Sequence, residues 1–396
     1  MDITLQPRRL RGNLSIIPSK SMAHRMLICA AFADGPTQMH CSDTNQDIEA
    51  TVQCLRELGV QILKTESGYN IVPARNIPEQ AAINCGESGS TLRFLLPVCG
   101  ALGVGTTFIM AGRLPYRPLS PLWEEMERMG CRLSRPTETT LRCTGKLNPG
   151  AYTIAGNVSS QYITGLLLGL SLTNAKSTLE ITGTVESKPY ITMTKHVMRQ
   201  FGADPDSPGS KQLHSPGTLT VEGDWSNGAF FLAANSLGSQ VNMEGLRADS
   251  PQGDKIVPEI LRQITAGCPT VSAADIPDLI PILSVAAAFS HGAVFTNIQR
   301  LRLKESDRVS SVIAMINDLG GSARATENTL IIESRPLTGG TVDSVNDHRI
   351  AMSAAIAATA CMNPVTILGA EAVNKSYPRF WEEYTRLGGK YEQHIR

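Results

Sequence analysis

The sequence predicts an α/β protein of two domains that is built from six similar α/β units. Its 396 residues are 42% hydrophobic and 18% charged, so the chain can form a large core, and its length favours two domains over one. Amphipathic helices that end at a glycine recur along the chain, and apolar helices alternate with them. The alternative is a generic α/β protein in which the helices resemble one another by chance.

The amphipathic helices define the units. Glycine suits the left-handed position just after a helix and so ends it. Three of these helices are followed by a strand, a turn and a strand, in VQILKTESGYNIV, CRLSRPTETTLRC and SARATENTLII. Each unit should therefore combine helices with strands. The helical segments are TVQCLRELG, LWEEMERMG, HVMRQFG, EILRQITAG, VIAMINDLG and FWEEYTRLG, which end at Gly59, Gly130, Gly202, Gly267, Gly320 and Gly388.

The second set of helices is apolar on nearly every face, and such helices belong inside a protein core. We therefore expect these helices to be buried, with the strands outside them. The segments are MLICAAFA, LRFLLPVCGALG, YITGLLLGLSL, AFFLAANSLG, LIPILSVAAAFS and IAMSAAIAATA.

Polar residues precede most of the apolar helices. Serine, threonine and aspartate are common N-caps, worth about 1 kcal/mol each, so capping explains many of them. Capping does not explain the cations, which oppose the helix macrodipole by about 0.3 to 1 kcal/mol. An anion bound by backbone N–H groups and cationic side chains would remove that conflict. The residues are Lys20, Ser21, His24 and Arg25 at the first helix, Ser88, Gly89, Ser90, Thr91 and Arg93 at the second, Ser159, Ser160 and Gln161 at the third, Asp278 at the fifth, and Asn346, Asp347, His348 and Arg349 at the last.

The segment RLRLKESDR, residues 300–308, places further cations beside Glu305 and Asp307. Its simplest interpretation is a solvated face with local ion pairs worth about 0.3 to 0.5 kcal/mol. However, two cations about 6 Å apart at an effective dielectric of about 20 repel by roughly 3 kcal/mol, so converged cations need a phosphate or carboxylate. Asp278 and Glu305 are then candidates for proton transfer, because cations keep carboxylates ionised as bases.

The composition excludes several classes of protein. With 36 basic and 36 acidic residues the net charge is zero, which gives no general attraction for nucleic acid or an anionic membrane. The nine cysteines form no C-x-x-C pair, which favours a reducing compartment over a disulfide frame or a zinc site. No apolar run approaches the ~20 residues that span a bilayer. We therefore expect a cytoplasmic protein.

Ten motifs in chain order resemble those of one family, the 5-enolpyruvylshikimate-3-phosphate synthases, across nearly the whole chain. They are PSKSMAHR, GESGSTLR, RLPYRPL, VSSQYITG, VESKPYI, VEGDWSNGAFFL, IPDLIPIL, RLRLKESDR, NDHRIAM and NKSYP. The resemblance implies a two-domain inside-out α/β barrel, each domain having three copies of a βαβαββ-type unit with buried parallel helices. It implies an N-terminal domain at 14–222, a C-terminal domain at 1–13 plus 223–396, and an active site in the cleft between them.

The resemblance also implies a reaction and its site. Family members transfer the enolpyruvyl group of phosphoenolpyruvate to the 5-hydroxyl of shikimate 3-phosphate and release phosphate, with no metal or organic cofactor. Asp278 is then expected as the base on the hydroxyl, and Glu305 with Lys20 as the groups that handle the methylene proton. The expected contacts to shikimate 3-phosphate are Ser21, Arg25, Ser159, Ser160, Ser187, Tyr190, Asp278 and Lys304, and those to phosphoenolpyruvate are Lys20, Gly89, Arg117, Gln161, Arg308, Arg349 and Lys375.

Two positions depart from the family's pattern. Glu87 stands where many members have asparagine, and Arg300 where some have an asparagine that touches the substrate. Either change is expected to alter affinity, and Glu87 to alter the response to glyphosate, which competes for the phosphoenolpyruvate site in this family. Neither removes a residue of the expected catalytic set.

Three other functions are alternatives to this one. The sister transferase that acts on UDP-N-acetylglucosamine resembles a Lys-Asn pair where this chain has Lys20-Ser21, and it carries a loop cysteine that RLPYRPL lacks. A non-catalytic sugar-phosphate-binding protein would bind the substrate without turnover. A nucleotide-binding enzyme is disfavoured, since neither G-x-G-x-x-G nor G-x-x-x-x-G-K-[ST] occurs at a strand-to-helix junction. The expected partners are small molecules rather than nucleic acid or membrane, and the expected state is a monomer.

Overall fold

A computed structural model describes residues 1–394, and the contacts within it divide the chain into two units. The continuous unit is Pro18–Glu222. The discontinuous unit is Met1–Ile17 together with the chain from Gly223 onward. Each unit buries its own hydrophobic core.

The continuous unit contains two four-stranded sheets, ordered β12-β3-β5-β4 and β6-β7-β9-β8, and one two-stranded sheet, β10-β11. Its helices are α1 (Lys20–Ala31), α2 (Gln46–Glu57), α3 (Gly89–Leu102), α4 (Leu122–Arg128), α5 (Ser160–Leu170) and α6 (Lys188–Gln200). Its strands are β3 (Thr37–His40), β4 (Gln61–Thr65), β5 (Gly68–Val72), β6 (Gln80–Gly86), β7 (Gly105–Met110), β8 (Cys131–Thr137), β9 (Thr140–Gly145), β10 (Ala151–Ala155), β11 (Thr178–Thr182) and β12 (Thr218–Thr220).

The discontinuous unit has the same inventory of sheets, ordered β18-β19-β1-β20, β14-β15-β17-β16 and β13-β2. Its helices are α7 (Trp225–Ser236), α8 (Val257–Ala266), α9 (Ile280–Ala288), α10 (Arg308–Asp318), α11 (His348–Ala358) and α12 (Phe380–Arg386). Its strands are β1 (Asp2–Gln6), β2 (Arg11–Ser15), β13 (Gln240–Glu244), β14 (Thr270–Ser272), β15 (Ala293–Thr296), β16 (Ala323–Ala325), β17 (Thr329–Ile332), β18 (Gly340–Asp343), β19 (Val365–Leu368) and β20 (Lys390–His394).

The chain first leaves the discontinuous unit after Ile17, and not after Asn13 as expected. Asn13 lies in the middle of β2, whose five residues pair in parallel with β13. Residues 14–17 consequently stay with the discontinuous unit. The second passage lies between Glu222 and Gly223.

The mixed α/β class is confirmed, and the six copies of the unit are unequal. The order βαβαββ runs without interruption in β6 to β9 with α3 and α4, and again in β14 to β17 with α9 and α10. The copy around α1 takes its first strand from β12, and β1 joins the sheet of the last copy. The copies with α5 and α7 have two-stranded sheets. All three expected hairpins are present, as β4–β5, β8–β9 and β16–β17.

The odd-numbered helices are the apolar set, and they are buried as expected. Every residue of α9 and α11 is buried, and α3 and α5 are nearly so. α5 approaches the backbone of α3 closely, because a Cβ at Gly165 would lie 2.1 Å from the Arg93 carbonyl oxygen, and one at Gly169 would lie 2.7 Å from that of Pro97. This packing brings the N-termini of α3 and α5 together.

The even-numbered helices are amphipathic and end as expected, with one difference. Five of the glycines that follow them have positive φ, between 71° and 111°. Gly267 instead has φ of 178°, which is extended backbone open to any residue. The left-handed ending is therefore wrong for α8. The five are Gly59, Gly130, Gly202, Gly320 and Gly388.

Candidate active site

In the discontinuous unit, one buried arginine binds several carboxylates. Arg308 opens α10 and is 1% exposed. Its Nη1 donates to Asp278 at 2.6 Å, its Nη2 to Glu305 at 2.6 Å, and its Nε to Asp347 at 2.9 Å. The guanidinium fork suits such pairing, since its five N–H groups point outward in one plane. We call Asp278, Lys304, Glu305, Arg308, Asp347 and Arg349 the Arg308 cluster.

Asp278 is the residue on which the cations of this cluster meet. Besides Arg308, its carboxylate lies 3.2 Å from Arg349 Nη2 and 3.4 Å from Lys304 Nζ. Its carbonyl oxygen accepts a hydrogen bond from Arg349 Nη1 at 3.1 Å. The expectation that Asp278 caps α9 is wrong, because the N-cap is Leu279 and no side chain caps that helix. The carboxylate is turned toward the cations instead.

Asp347 holds the cluster to α11. As the N-cap of that helix it accepts from the Arg349 N–H at 3.0 Å, and it also accepts from Ser306 Oγ at 3.0 Å. Burial opposes its charge, but Arg308 and His348 outweigh burial, so the pKa of Asp347 is lowered. Burial likewise opposes the charge of Arg308, but the negative charges of Asp347, Glu305 and Asp278 outweigh it and raise the pKa of Arg308 well above its ordinary value. The pair is therefore an ionised, fully desolvated unit.

The other residues of RLRLKESDR fit both interpretations of that segment, some as a solvated face and others as part of a charged site. Arg302 and Asp307 form a half-exposed ion pair at 3.1 Å, and Asp307 caps α10. Lys304, by contrast, is directed toward Asp278, and burial lowers its pKa. One part of the segment is thus a solvated face, and the other is a wall of the Arg308 cluster.

Asp254 is a buried acid of this unit that the sequence analysis missed. It lies in a 3-10 turn, Gly253–Ile256, and is 4% exposed. Ser226, in the first turn of α7, donates its hydroxyl to Asp254. Burial, and then the negative charge of Asp278, raise the pKa of Asp254 to about 7. The sequence carried no signal for it, since an aspartate before a helix is ordinarily a favourable dipole partner.

In the continuous unit, the N-termini of α1, α2 and α3 form a second polar cluster. Lys20 opens α1 and pairs with Asp47 of α2 at 2.8 Å. The Asp47 carbonyl oxygen accepts from Thr91 of α3 at 3.4 Å. The Thr91 hydroxyl in turn lies 2.7 Å from that of Ser88, the N-cap of α3. We call these residues the Lys20 cluster, together with Ser21, Arg25, Gly89, Ser90, Arg93, Arg117, Gln161, Thr164, Tyr190 and Thr194.

Two guanidinium groups lie against Gly89, in the first turn of α3. A Cβ there would be 2.6 Å from Arg93 Nη1 and 2.7 Å from Arg117 Nη1. Arg93 also donates to the Gln161 side chain at 3.1 Å, and Gln161 donates to Ser90 at 3.1 Å. Two cations thus converge on the first turn of α3, as the anion hypothesis requires. Arg93 is one of the cations at helix starts noted in the sequence, although the family resemblance assigned it no substrate contact.

Arg25 is buried among neutral partners. It donates to the hydroxyls of Thr164 and Thr194 and to the carbonyl oxygens of Ser21 and Tyr190, at 2.6 to 3.2 Å. Burial lowers its pKa to about 10. These bonds tie the first turn of α1 to α5 and α6, near the expected substrate contacts.

The serines of that region differ in how they are held. Ser159 caps α5 by accepting from the Gln161 N–H, and Ser160 begins that helix in a buried position. Ser187 is buried and has φ of 55°. A non-glycine residue in this left-handed conformation costs on the order of 1 kcal/mol or more and is often found at functional sites.

The expected site residues therefore fall into two sets, one in each unit. The discontinuous unit holds Asp278, Lys304, Glu305, Arg308 and Arg349, and Lys375 donates to the carbonyl oxygen of Asn346 beside them at 2.9 Å. The continuous unit holds Lys20, Ser21, Arg25, Gly89, Arg117, Ser159, Ser160, Gln161, Ser187 and Tyr190. Within residues 1–394, no group of His, Cys, Asp and Glu is arranged to hold a metal ion, and no helix is long and apolar enough to cross a membrane.

Comparison with known proteins identifies the family. Residues 5–384 match the family model described as EPSP synthase (3-phosphoshikimate 1-carboxyvinyltransferase). The chain belongs to the EPSP synthase family. Two relatives named 3-phosphoshikimate 1-carboxyvinyltransferase agree with this: that of Clostridium kluyveri is 37% identical over 99% of this chain and 98% of its own. That of Clostridium perfringens is 38% identical over 98% of each.

Solved structures of EPSP synthases share the fold. An EPSP synthase from Acinetobacter baumannii superposes with a TM-score of 0.80 at 23% identity, over 99% of this chain and 100% of its own. The enolpyruvyl transferase NikO from Streptomyces tendae has a TM-score of 0.77 at 17% identity, over 100% of this chain and 99% of its own. At these identities the likeness concerns the fold alone.

Proposed function

We propose that this protein is a 3-phosphoshikimate 1-carboxyvinyltransferase. It transfers the enolpyruvyl group of phosphoenolpyruvate to the 5-hydroxyl of shikimate 3-phosphate and releases phosphate. Family membership and the names of the relatives support this reaction. The observation that carries the chemistry is the Arg308 cluster, in which one buried guanidinium holds Asp278 and Glu305 at 2.6 Å each.

The reaction needs a base at the attacking hydroxyl. The hydroxyl oxygen bonds to the carbon that carries the phosphate, and its proton must leave. Asp278 suits this role, because three cationic side chains favour its ionised form and only 15% of its side chain is exposed. We assign the same cations a second role, which is to balance the charges of the substrates.

The methylene carbon of phosphoenolpyruvate must gain a proton and later lose one as phosphate departs. A proton donor that returns as the acceptor fits both steps, so one carboxyl or ammonium group can serve in turn. We assign Glu305 to this role, with Lys20 as its partner. Glu305 is only 28% exposed, and Arg308 fixes its direction.

Anion binding is assigned to the remaining cations and helix N-termini. Arginine forks match carboxylate and phosphate, and lysine acts as a compact charge. Arg349, Lys375, Lys20 and Arg117 fit these roles, with Gly89 and Gln161 at the N-termini of α3 and α5. Arg308 is committed to its carboxylates, so we assign it to positioning Asp278 and Glu305 more than to binding phosphoenolpyruvate. These assignments, and Ser21, Arg25, Ser159, Ser160, Ser187, Tyr190 and Lys304 for shikimate 3-phosphate, rest on the motifs of the family.

Most residues assigned to substrate binding and catalysis are divided between the Arg308 cluster and the Lys20 cluster. We therefore propose that both clusters act on the same pair of substrates. A phosphate-release assay with both substrates tests the function. Release that requires both, and that is lost in Asp278→Asn but kept in the exposed control Asp206→Asn, is the expected result. Release with UDP-N-acetylglucosamine instead would indicate the sister activity. Binding of shikimate 3-phosphate without any release would indicate a binding protein.

We propose further that the protein works as a monomer in a reducing compartment such as the cytoplasm. All nine cysteines are free thiols, and eight of them are buried. Free thiols persist where disulfides are kept reduced. Light scattering after size-exclusion chromatography tests the monomer, and a dimer mass would contradict it.

A further inference from the structure

Asp254 is held firmly in a setting that does not suit a charge. The segment before it is fastened to the start of α7, where Gln252 donates to the Gly223 carbonyl oxygen at 2.9 Å and accepts from the Trp225 N–H at 3.1 Å. Asp254 Oδ2 accepts the hydroxyl of Ser226. Asp254 Oδ1 is buried and has no hydrogen-bond partner among the described residues. An ionised carboxylate with one oxygen unsatisfied is expensive to bury, whereas a neutral acid is far less so.

The charges around Asp254 decide where a proton resides. Asp278 and Asp224 oppose its ionisation, and Arg349 favours it. Asp278 has three cations close to its carboxylate, while the one hydrogen bond to the carboxyl of Asp254 comes from a neutral hydroxyl. When two carboxyl groups oppose each other's ionisation, the one with less compensation keeps the proton. That one is Asp254.

We propose that Asp254 is a positioning residue that, in its protonated form, keeps Arg349 directed to Asp278 and to the anionic substrate. The proposal rests on the proposed function for the identity of that substrate. On ionisation, Asp254 becomes a second carboxylate that competes for Arg349 and repels both Asp278 and a phosphate or carboxylate. Affinity for phosphoenolpyruvate should then fall. The acid thus links the charge state of a buried side chain to anion binding, without touching the reacting atoms.

The pH dependence of the KM for phosphoenolpyruvate tests this inference. Because burial and Asp278 place the pKa of Asp254 at about 7, the KM of the unaltered protein should rise above that pH. The rise should be up to about tenfold for each further unit of pH. In Asp254→Asn, which mimics the neutral acid, this rise should be absent. The substrate's own titration cancels in the ratio of the two proteins, and Asp206→Asn serves as the exposed control.

Ser226→Ala provides a second test. The Ser226 hydroxyl stabilises the ionised form of Asp254, so its removal should shift the rise in KM to higher pH. A purely structural role for the Ser226–Asp254 bond would change stability without moving the pH profile. Identical profiles in the unaltered protein, Asp254→Asn and Ser226→Ala would overturn the proposal.

The protonation state has a readout that does not depend on turnover. Infrared difference spectra across neutral pH should contain the carbonyl band of a protonated carboxyl group, and that band should be missing in Asp254→Asn. If the unaltered protein lacks transferase activity but the band titrates near neutral pH, the proposed function fails while the protonated Asp254 stands. If the protein is active and the band is absent, the inference about Asp254 fails alone.

Discussion

At the scale of single residues, Arg308 explains why three acids can lie together in the discontinuous unit. Its guanidinium bonds to Asp278, Glu305 and Asp347 while being 1% exposed. Removing one partner of a buried ion pair commonly costs 3 to 5 kcal/mol, roughly, because the other charge is left uncompensated. The two carboxylates assigned to catalysis are therefore also structural partners of Arg308, and tests of their roles must separate chemistry from stability.

Amide substitutions make that separation. Asp278→Asn and Glu305→Gln keep shape and a hydrogen-bonding oxygen but do not accept a proton at neutral pH. We expect Asp278→Asn to slow the chemical step at least ~10²-fold, and Glu305→Gln to slow it with limited loss of substrate binding. Rapid-quench measurement of a single turnover gives the step directly. A near-normal chemical step in both variants would show that these carboxylates only balance the neighbouring cations.

Gly89 offers a test of the anion site in the continuous unit. In Gly89→Ala the new methyl group would lie 2.6 to 2.7 Å from Arg93 and Arg117 nitrogens, so the guanidinium groups must shift. We expect the KM for phosphoenolpyruvate to rise roughly tenfold, which corresponds to about 1.4 kcal/mol of binding. The affinity for shikimate 3-phosphate, measured by calorimetry, should change little. Equal losses for both substrates would indicate general disruption of α3.

Residue types in motifs were predictable from the sequence, and their partners were not. NDHR pointed to Arg349 because cations at helix starts are unfavourable without an anion. RLRLKESDR pointed to Glu305 because clustered cations keep a carboxylate ionised. The side chain of Asp278 could have been a cap, but the N-cap of α9 is Leu279, and the Asp278 carboxylate accepts from Arg308 at 2.6 Å instead. Asp254 has no distinguishing neighbour in sequence, because the groups that act on its carboxyl, Ser226 of α7 and Asp278, lie elsewhere in the chain.

At the scale of elements, all twelve predicted helices are present, because the even-numbered helices have an apolar stripe with the helical period and the odd-numbered helices are long apolar runs. Strand pairing beyond the three hairpins had no such local signal. β12 pairs with β3, and β1 pairs with β19 and β20, across most of a unit or of the whole chain. The division into four-stranded and two-stranded sheets therefore required the structure.

The glycines that end the amphipathic helices allow a matched comparison. Gly59 has φ of 91°, and a Cβ there would lie 2.7 Å from the Asn76 carbonyl oxygen. Gly267 has extended φ, and nothing would lie within 4 Å of its Cβ. We expect Gly59→Ala to destabilise the protein by on the order of 1 kcal/mol or more, and Gly267→Ala to stabilise it by about 0.4 to 1 kcal/mol. Urea denaturation measures both, and equal effects would contradict the difference in φ.

At the scale of the whole molecule, Asp254 should shape the dependence of stability on pH. Its pKa rises from 3.8 when unfolded to about 7 when folded. The folded protein therefore holds a proton that the unfolded chain loses first, and the stability contributed by Asp254 falls as the pH rises from about 4 to about 7. The quantity to compare is the free energy of unfolding of Asp254→Asn minus that of the unaltered protein. This difference should be higher at pH ~8 than at pH ~5 by a few kcal/mol at most, since one pKa unit is about 1.36 kcal/mol. The same difference at both pH values would contradict the raised pKa.

The discontinuous unit also has a consequence for the order in which the protein forms during synthesis. Residues 18–222 leave the ribosome as one uninterrupted segment, so the continuous unit can fold while translation continues. β1 and β2 emerge earlier still, but β2 must wait for β13, and β1 for β19 and β20 near the end of the chain. β1 is thus among the last strands to be paired, and β2 is paired only after the continuous unit has been made. While the continuous unit is being made, both strands have unpaired edges, and such edges are where chaperone binding or misassociation would begin.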